Sequence, residues 1–263
     1  MSRRPLALLT NDDGIDSPGL HALARGAIDA GYDVLVAAPS VDASGAGGSV
    51  QAVVEDGHVT VQEQELPGLP EVTAYAVAGQ PAFIVLAAGQ GWLERTPDIV
   101  LSGINYGANL GRNVLHSGTV CAVLAGAMHR WSGLAVSLDT GTSTPDVAHW
   151  EAPLSLLGDV LERLRERPAG TAWTMNVPNR PVAALEPLRE AELAESGAVQ
   201  VRMQYRTPEG PRPAGLRVIV SEDFAGKGPD DDVTLLSIGH PTLTELTPLG
   251  SRPIGSAVTV NAP

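Results

Sequence analysis

The chain has 263 residues, with 17 lysines and arginines against 30 aspartates and glutamates, for a formal net charge of −13. Hydrophobic residues make up 43% and charged residues 18%, which excludes a disordered chain and describes one large globular domain, or one with an appendage. The acidic balance argues against a nucleic-acid polymer as partner. No apolar run approaches the roughly 18 residues of a membrane span, the stretch after Ser2-Arg3-Arg4 is too short for a signal peptide, and the single Cys121 suits a reducing cytoplasm.

Leu6 to Leu9 is a short apolar run that predicts a buried strand, and it ends in Asn11-Asp12-Asp13-Gly14. Two adjacent carboxylates raise each other's pKa unless a cation neutralises them. Gly14 permits a turn, and Ser17-Pro18 predicts a helix start, as N-cap and first helical residue. The helix runs from Leu20 to Ala30 and stops at Gly31; Tyr32 to Ala38 is a second buried strand. This β-α-β order predicts a parallel sheet with a right-handed crossover. In such sheets ligands bind beyond the carboxyl ends of the strands, where the two aspartates lie. A bare Asp-Asp-Gly turn is otherwise most often solvated surface.

Residues 40–49 form a loop of small residues after the second strand. Residues 50–78 alternate weakly and predict short antiparallel strands flanking the core; Pro81 to Ala88 predicts a helix. Ile99 to Leu101 is a third buried strand, followed by the Gly- and Asn-rich loop 102–111. His116 to Val120 opens an Ala-rich helix over Cys121 to His129, with Cys121 a small core residue. Ser117, Gly118 and Thr119 sit where free amides and the positive dipole end face an anion. Leu134 to Leu138 is a fourth strand, Trp150 to Glu166 an amphipathic helix, and Trp173 to Val177 a further strand. After residue 183 the β-α-β rhythm is lost. Val199 to Tyr205 and Leu216 to Val220 predict a hairpin, 224–232 an acidic loop, and the remainder a short helix and a strand.

The strand-end loops therefore gather Asp12, Asp13, Ser44, Asn105, Asn109 and Ser117 to Thr119. Carboxylates, a hydroxyl and an amide oxygen make an all-oxygen set that suits a hard cation such as Mg²⁺ or Mn²⁺. A cation site beside a helix N-terminus implies phosphoryl transfer or hydrolysis. His116 could donate a proton near a phosphate or be a surface histidine; His21, His58 and His129 read as structural or exposed.

The segments NDDGIDSPG, AP followed by ASG, SGINYGANLG, SGTV, LAVSL and NVP, in this order, resemble the survival protein E (SurE) family of metal-dependent nucleotidases. The resemblance is strong over residues 6–139 and thin after Pro178. It implies a Rossmann-like α/β fold with a mostly parallel sheet and helices on both faces, and a C-terminal hairpin and arm. Residues 1–182 would form the catalytic core and 183–263 the hairpin and oligomerisation arm, in one domain, with TLTELTPL the trace of an arm exchanged between subunits. The resemblance implies one divalent ion per subunit on Asp12, Asp13, Ser44 and Asn105, of which Asp12, Asp13 and Asn105 would be catalytic. It also implies substrate or phosphate contacts at Asn11, Gly45, Asn109, Ser117, Gly118 and Thr119. The expected partner is a small phosphorylated substrate, a nucleoside monophosphate, bound by a cytoplasmic homodimer or homotetramer.

Four positions, in three segments, depart from the family pattern. Gln80 and Phe83 stand where the family keeps Thr and Asp, Ala125 where it keeps Glu, and His116 where it keeps Tyr. These leave open a phosphatase dedicated to a specialised metabolite, or a phosphate-binding protein without turnover. Phe83 either lines the substrate mouth, where its ring could stack on a base, or points into the core.

Overall fold

The computed structural model describes residues 3–45, 47–141, 145, 147–195, 199–206, 215–222 and 228–247, of which 199–206 and 215–222 are described as backbone only. Strand β1 (Leu6–Thr10) is buried along its whole length, followed by α1 (Pro18–Asp29) and β2 (Asp33–Pro39). A two-residue hairpin, β3 (Val54–Glu55) and β4 (His58–Val59), precedes β5 (Val61–Glu63) and β6 (Thr73–Val77). Then come α2 (Pro81–Gly89), β7 (Ile99–Tyr106), a 3-10 turn at Gly111–His116, α3 (Gly118–Met128) and β8 (Ser132–Asp139). The chain continues through α4 (Glu151–Arg165), β9 (Ala172–Pro178), β10 (Arg189–Glu190), the hairpin β11 (Val199–Arg206) and β12 (Gly215–Glu222), α5 (Asp232–Ser237) and β13 (Thr242–Leu246).

Nine strands form one sheet in the order β10-β13-β9-β8-β7-β1-β2-β6-β5. The six central strands, β9-β8-β7-β1-β2-β6, are parallel, whereas β13 runs antiparallel to β9 and β5 antiparallel to β6. Successive strand side chains alternate between faces. Leu9 and Leu101 accordingly enter one core layer with Leu20, Leu23, Leu157 and Leu161 of α1 and α4. Leu8 and Val100 enter the other, with Ile84, Val85, Val120 and Val123 of α2 and α3. After β1 the chain builds outward through β2 to β6, then returns to the other side of β1 with β7. The strand order reverses between β1 and β7, and a crevice opens there. No helix among the described residues is long and apolar enough to cross a membrane.

Local sequence accounts for the helix starts. Ser17 caps α1 by accepting from the Leu20 amide at 3.3 Å, ahead of Pro18. Ser117 caps α3 in the same way, accepting from Val120 at 3.1 Å.

Two expectations need correction. Residues 73–77 were expected to run antiparallel to the core, yet β6 pairs in parallel with β2, and only β5 is antiparallel to it. The connection over 40–72, which among its described residues carries the short strands β3, β4 and β5, supplies the crossover that a helix usually provides. The third strand also does not stop at Leu101. It runs on to Tyr106, with a register shift between Ser102 and Asn105. Gly103, at φ +128, makes this possible, because a side chain there would strike the Val136 carbonyl of β8. Residues 242–246, the expected trace of an exchanged arm, pair with β9 of the same chain. Residues 248–263 lie outside the described residues.

Candidate active site

The loop after β1 is fixed by its own side chains. Asn11 is fully buried and donates from Nδ2 to the Gly14 carbonyl at 3.0 Å and to Ser17 Oγ at 2.7 Å. Gly14 adopts φ +95, and Ile15 N donates to the Pro39 carbonyl at 2.9 Å, tying the turn to the end of β2. Asn11 thus holds the acidic turn against α1 through its Nδ2.

Asp12 is buried, at 5% exposure, and faces the start of α3. Thr119 Oγ1 donates to Asp12 Oδ1, and the Thr119 amide donates to Asp12 Oδ2 at 3.3 Å. Gly118 is needed for this approach: a Cβ there would lie 2.8 Å from Asp12 Oδ2. Asn105 is oriented by donating from Nδ2 to the Gly107 carbonyl at 2.8 Å, which turns its Oδ1 to within 3.4 Å of Thr119 Oγ1. Asp13 accepts from the Tyr106 amide at 3.3 Å. Its carboxyl is pushed up to about 6, first by burial and then by the neighbouring Asp12 charge, with Asp42 adding to it. Among the described residues no ion pair reaches Asp12 or Asp13.

Ser44 and Gly45 lie on the loop after β2. Ala43 N donates to the Asp12 carbonyl at 2.7 Å, holding this loop beside β1. The Ser44 hydroxyl donates to Asp42 Oδ1 at 2.6 Å and its amide does so at 2.7 Å, which holds the Asp42 carboxyl below its usual range. Gly45 is exposed, and a Cβ there would meet no described atom within 4 Å. Asn109 sits one step further along the crevice. Its amide nitrogen donates to Ser137 Oγ at 2.9 Å, and it exchanges two hydrogen bonds with Asn176 of β9, at 2.8 and 3.0 Å. His116 is exposed at the end of the 3-10 turn.

Direct contacts therefore unite Asp12, Asn105, Gly118 and Thr119, with Asp13 joined through Tyr106 N–H, Ser44 through its loop, and Asn109 through Ser137 and Asn176. Sequence reasoning missed Asp42, Ser137, Asn176 and Asp232. Asp232 is fully buried in α5 and accepts from Gly111, Ala194 and Val233 amides at 2.7, 2.9 and 2.9 Å, anchoring the loop that carries Asn109. Asn176, a strand-end asparagine, was the one visible signal among them. A cavity of about 1560 Å³ is a separate groove lined by residues such as Leu86, Leu124, Met128 and Leu246, and touches neither Asp12 nor Asp13.

Phe83 resolves the other way from a mouth residue. It packs half-buried against the α2–α3 core layer and lies beneath Gly79, where a Cβ would meet its ring at 2.6 Å.

A mostly parallel α/β sheet with a carboxylate pair at its switch point, one of them facing a helix N-terminus, is an arrangement that can hold a hard cation beside an anion. The model of the family described as survival protein SurE matches residues 7–200, and the chain belongs to this family. It is 35% identical over 241 residues to the 5′-nucleotidase SurE of Solidesulfovibrio magneticus, covering 91% of this chain and 90% of the relative. It is 32% identical over 242 residues to the 5′-nucleotidase SurE of Xanthomonas campestris pv. campestris, covering 91% and 88%. The crystal structure of the SurE protein from Aquifex aeolicus superposes with a TM-score of 0.75 at 25% identity, covering 92% of this chain and 93% of that one.

Proposed function

We propose that this chain is a divalent-metal-dependent phosphomonoesterase that hydrolyses nucleoside monophosphates to nucleoside and phosphate. The observation that carries the reading is the carboxylate pair Asp12–Asp13 at the switch point, met by no ion pair among the described residues, with Asp12 buried against the first turn of α3 and Asp13 half-buried beside it. The names of the relatives, 5′-nucleotidase SurE, support the reaction class.

The donor set fits a Mg²⁺ or Mn²⁺ ion, one per subunit. Among the described residues no three His, Cys, Asp or Glu side chains gather into a metal cluster, so two carboxylates must be completed by neutral oxygens. Asp12, Asp13, Ser44 and Asn105 would hold it. The Ser44 hydroxyl keeps its oxygen lone pairs while donating to Asp42. The chemistry such an ion supplies when bound is Lewis acidity toward phosphoryl oxygens and a lowered pKa for water.

The chain's own residues do the rest. Thr119 holds the Asp12 carboxylate in place through its hydroxyl and amide. The segment Ser117–Thr119 presents the positive end of α3 to the phosphate; Ser117 Oγ accepts from Val120 and keeps its own O–H to donate. Asn109 gives one amide hydrogen to Ser137 and has a second to offer a phosphoryl oxygen. We place the enzyme in the cytoplasm as a homodimer or homotetramer, in keeping with the single buried Cys121.

The test is phosphate release from a panel of 5′- and 3′-nucleoside monophosphates, sugar phosphates and phosphodiesters, with Mg²⁺ or Mn²⁺. Turnover of nucleoside monophosphates, with none of diesters, is the expected result. Binding of phosphate without turnover of any monoester would overturn the assignment.

A further inference from the structure

With Phe83 committed to the core, the flat leaving group has no stacking partner there. The residue after Asn105 supplies one. Tyr106 closes β7, and its backbone N–H donates to Asp13 Oδ2 at 3.3 Å, so its backbone lies beside Asp13. Ile99 to Ile104 are buried, whereas Tyr106 is 40% exposed. The ring is not free: the Trp150 ring lies 6.1 Å away, centroid to centroid, tilted by 53°. Trp150 in turn packs against the α1–α4 core layer.

Strand alternation places this ring across the site from the phosphate seat. Asn105 turns toward Thr119 and the α3 side. Its neighbour Tyr106 therefore turns to the α1–α4 side, where Trp150 meets it. A substrate whose phosphate lies at the start of α3 would cross the carboxylates with its sugar and bring its base over the Tyr106 ring. A ring already held by a second aromatic loses little freedom on stacking. We propose that Tyr106, backed by Trp150, is a specificity-determining residue that stacks the base of the nucleoside monophosphate. This rests on the phosphomonoesterase reading above.

The experiment compares kcat/KM for adenosine 5′-monophosphate and for ribose 5-phosphate, which carries the same phosphate and sugar but no base, with Mn²⁺. Tyr106→Leu keeps apolar bulk and removes the π-face; Tyr106→Phe keeps the face. Stacking on one ring by alanine substitution spans roughly fivefold to a hundredfold, so the nucleotide-to-sugar-phosphate ratio falls about tenfold in Tyr106→Leu, chiefly through KM. It stays at the wild-type value in Tyr106→Phe and falls partway in Trp150→Leu. Equal losses on both substrates, or an unchanged ratio in Tyr106→Leu, would overturn the proposal. Equilibrium dialysis of both compounds keeps the test independent of turnover: if the wild type hydrolyses neither, the enzymatic reading fails while the ratio of dissociation constants still reports stacking. Should adenosine 5′-monophosphate bind the wild type no tighter than ribose 5-phosphate, the stacking role is excluded.

Discussion

Asp13→Asn separates what the acidic turn does for stability from what it does for binding. In the folded chain this carboxyl titrates near 6 rather than at its ordinary 3.8, because it is buried and lies beside Asp12. Ionised Asp13 is thus a penalty on folding. The penalty is absent below pH about 3.8, grows between 3.8 and 6, and is full above 6. A rise of that size corresponds to a ceiling of about 3 kcal/mol, and the partial solvent access of Asp13 brings it to about 1–2 kcal/mol. The asparagine can still accept from the Tyr106 amide. In EDTA at pH 8 the variant should melt about 2–8 °C above the wild type, since 1 kcal/mol is worth roughly 2–4 °C in a chain of this size. At pH 4 the gain should nearly vanish. Adding Mn²⁺ should raise the wild-type melting temperature and move the variant much less, because the variant lacks a charged ligand. Thermal scans at both pH values, with and without Mn²⁺, give all four comparisons. An equal gain at pH 4 and pH 8, or no gain at either, would refute the burial argument.

Thr119→Val removes the hydroxyl that donates to Asp12. The Mn²⁺ activation constant and the inhibition constant for inorganic phosphate should both rise, by about tenfold to a hundredfold for a lost bond to a charged group; phosphate inhibition moving alone would show that Thr119 does not position Asp12. Asp232→Ala leaves the Gly111 and Ala194 amides without their acceptor. It should lower stability by about 2–4 kcal/mol in denaturant melts and raise KM more than it lowers kcat, because Gly111 lies two residues from Asn109. Phe83→Asp puts a carboxylate against the α2–α3 core. It should lower the melting temperature by several degrees, for a cost of about 2 kcal/mol or more, and leave the rank order of substrates unchanged; a changed order in a folded protein would return Phe83 to the substrate mouth.

The central strands and their helices are legible in the sequence because apolar runs, caps and glycine stops agree with one another. Ser17-Pro18 and Ser117 mark helix starts by local chemistry alone. The same local chemistry misleads at Ser102 to Tyr106. Glycine and asparagine signal a loop, but Gly103 is there because β8 lies too close for a side chain. The direction of β6 was hidden because its partner β2 is joined to it by a long connection that carries the short strands β3, β4 and β5. The two aspartates, Asn105 and the start of α3 were readable as a candidate site because the aspartates follow a strand, Asn105 lies near the end of one, and Ser117 opens a helix, all at the switch point. The supports were not. Asn176 lies 67 residues from Asn109 and Asp232 lies 121 residues from Gly111, and no local pattern encodes a bond across that span. The bonds that Asn11 makes to Gly14 and Ser17, and Thr119 to Asp12, likewise appear only in three dimensions.

The central claim is that Asp12 and Asp13 hold a divalent ion without which the chain does not hydrolyse phosphomonoesters. The direct measurement is phosphate release from a nucleoside monophosphate by EDTA-stripped wild type and Asp12→Ala, titrated with Mn²⁺. The wild type should be inactive until Mn²⁺ is added and then saturate, while Asp12→Ala stays folded and inactive at every concentration. Turnover by the stripped wild type, or full activity of Asp12→Ala at saturating Mn²⁺, would contradict the account.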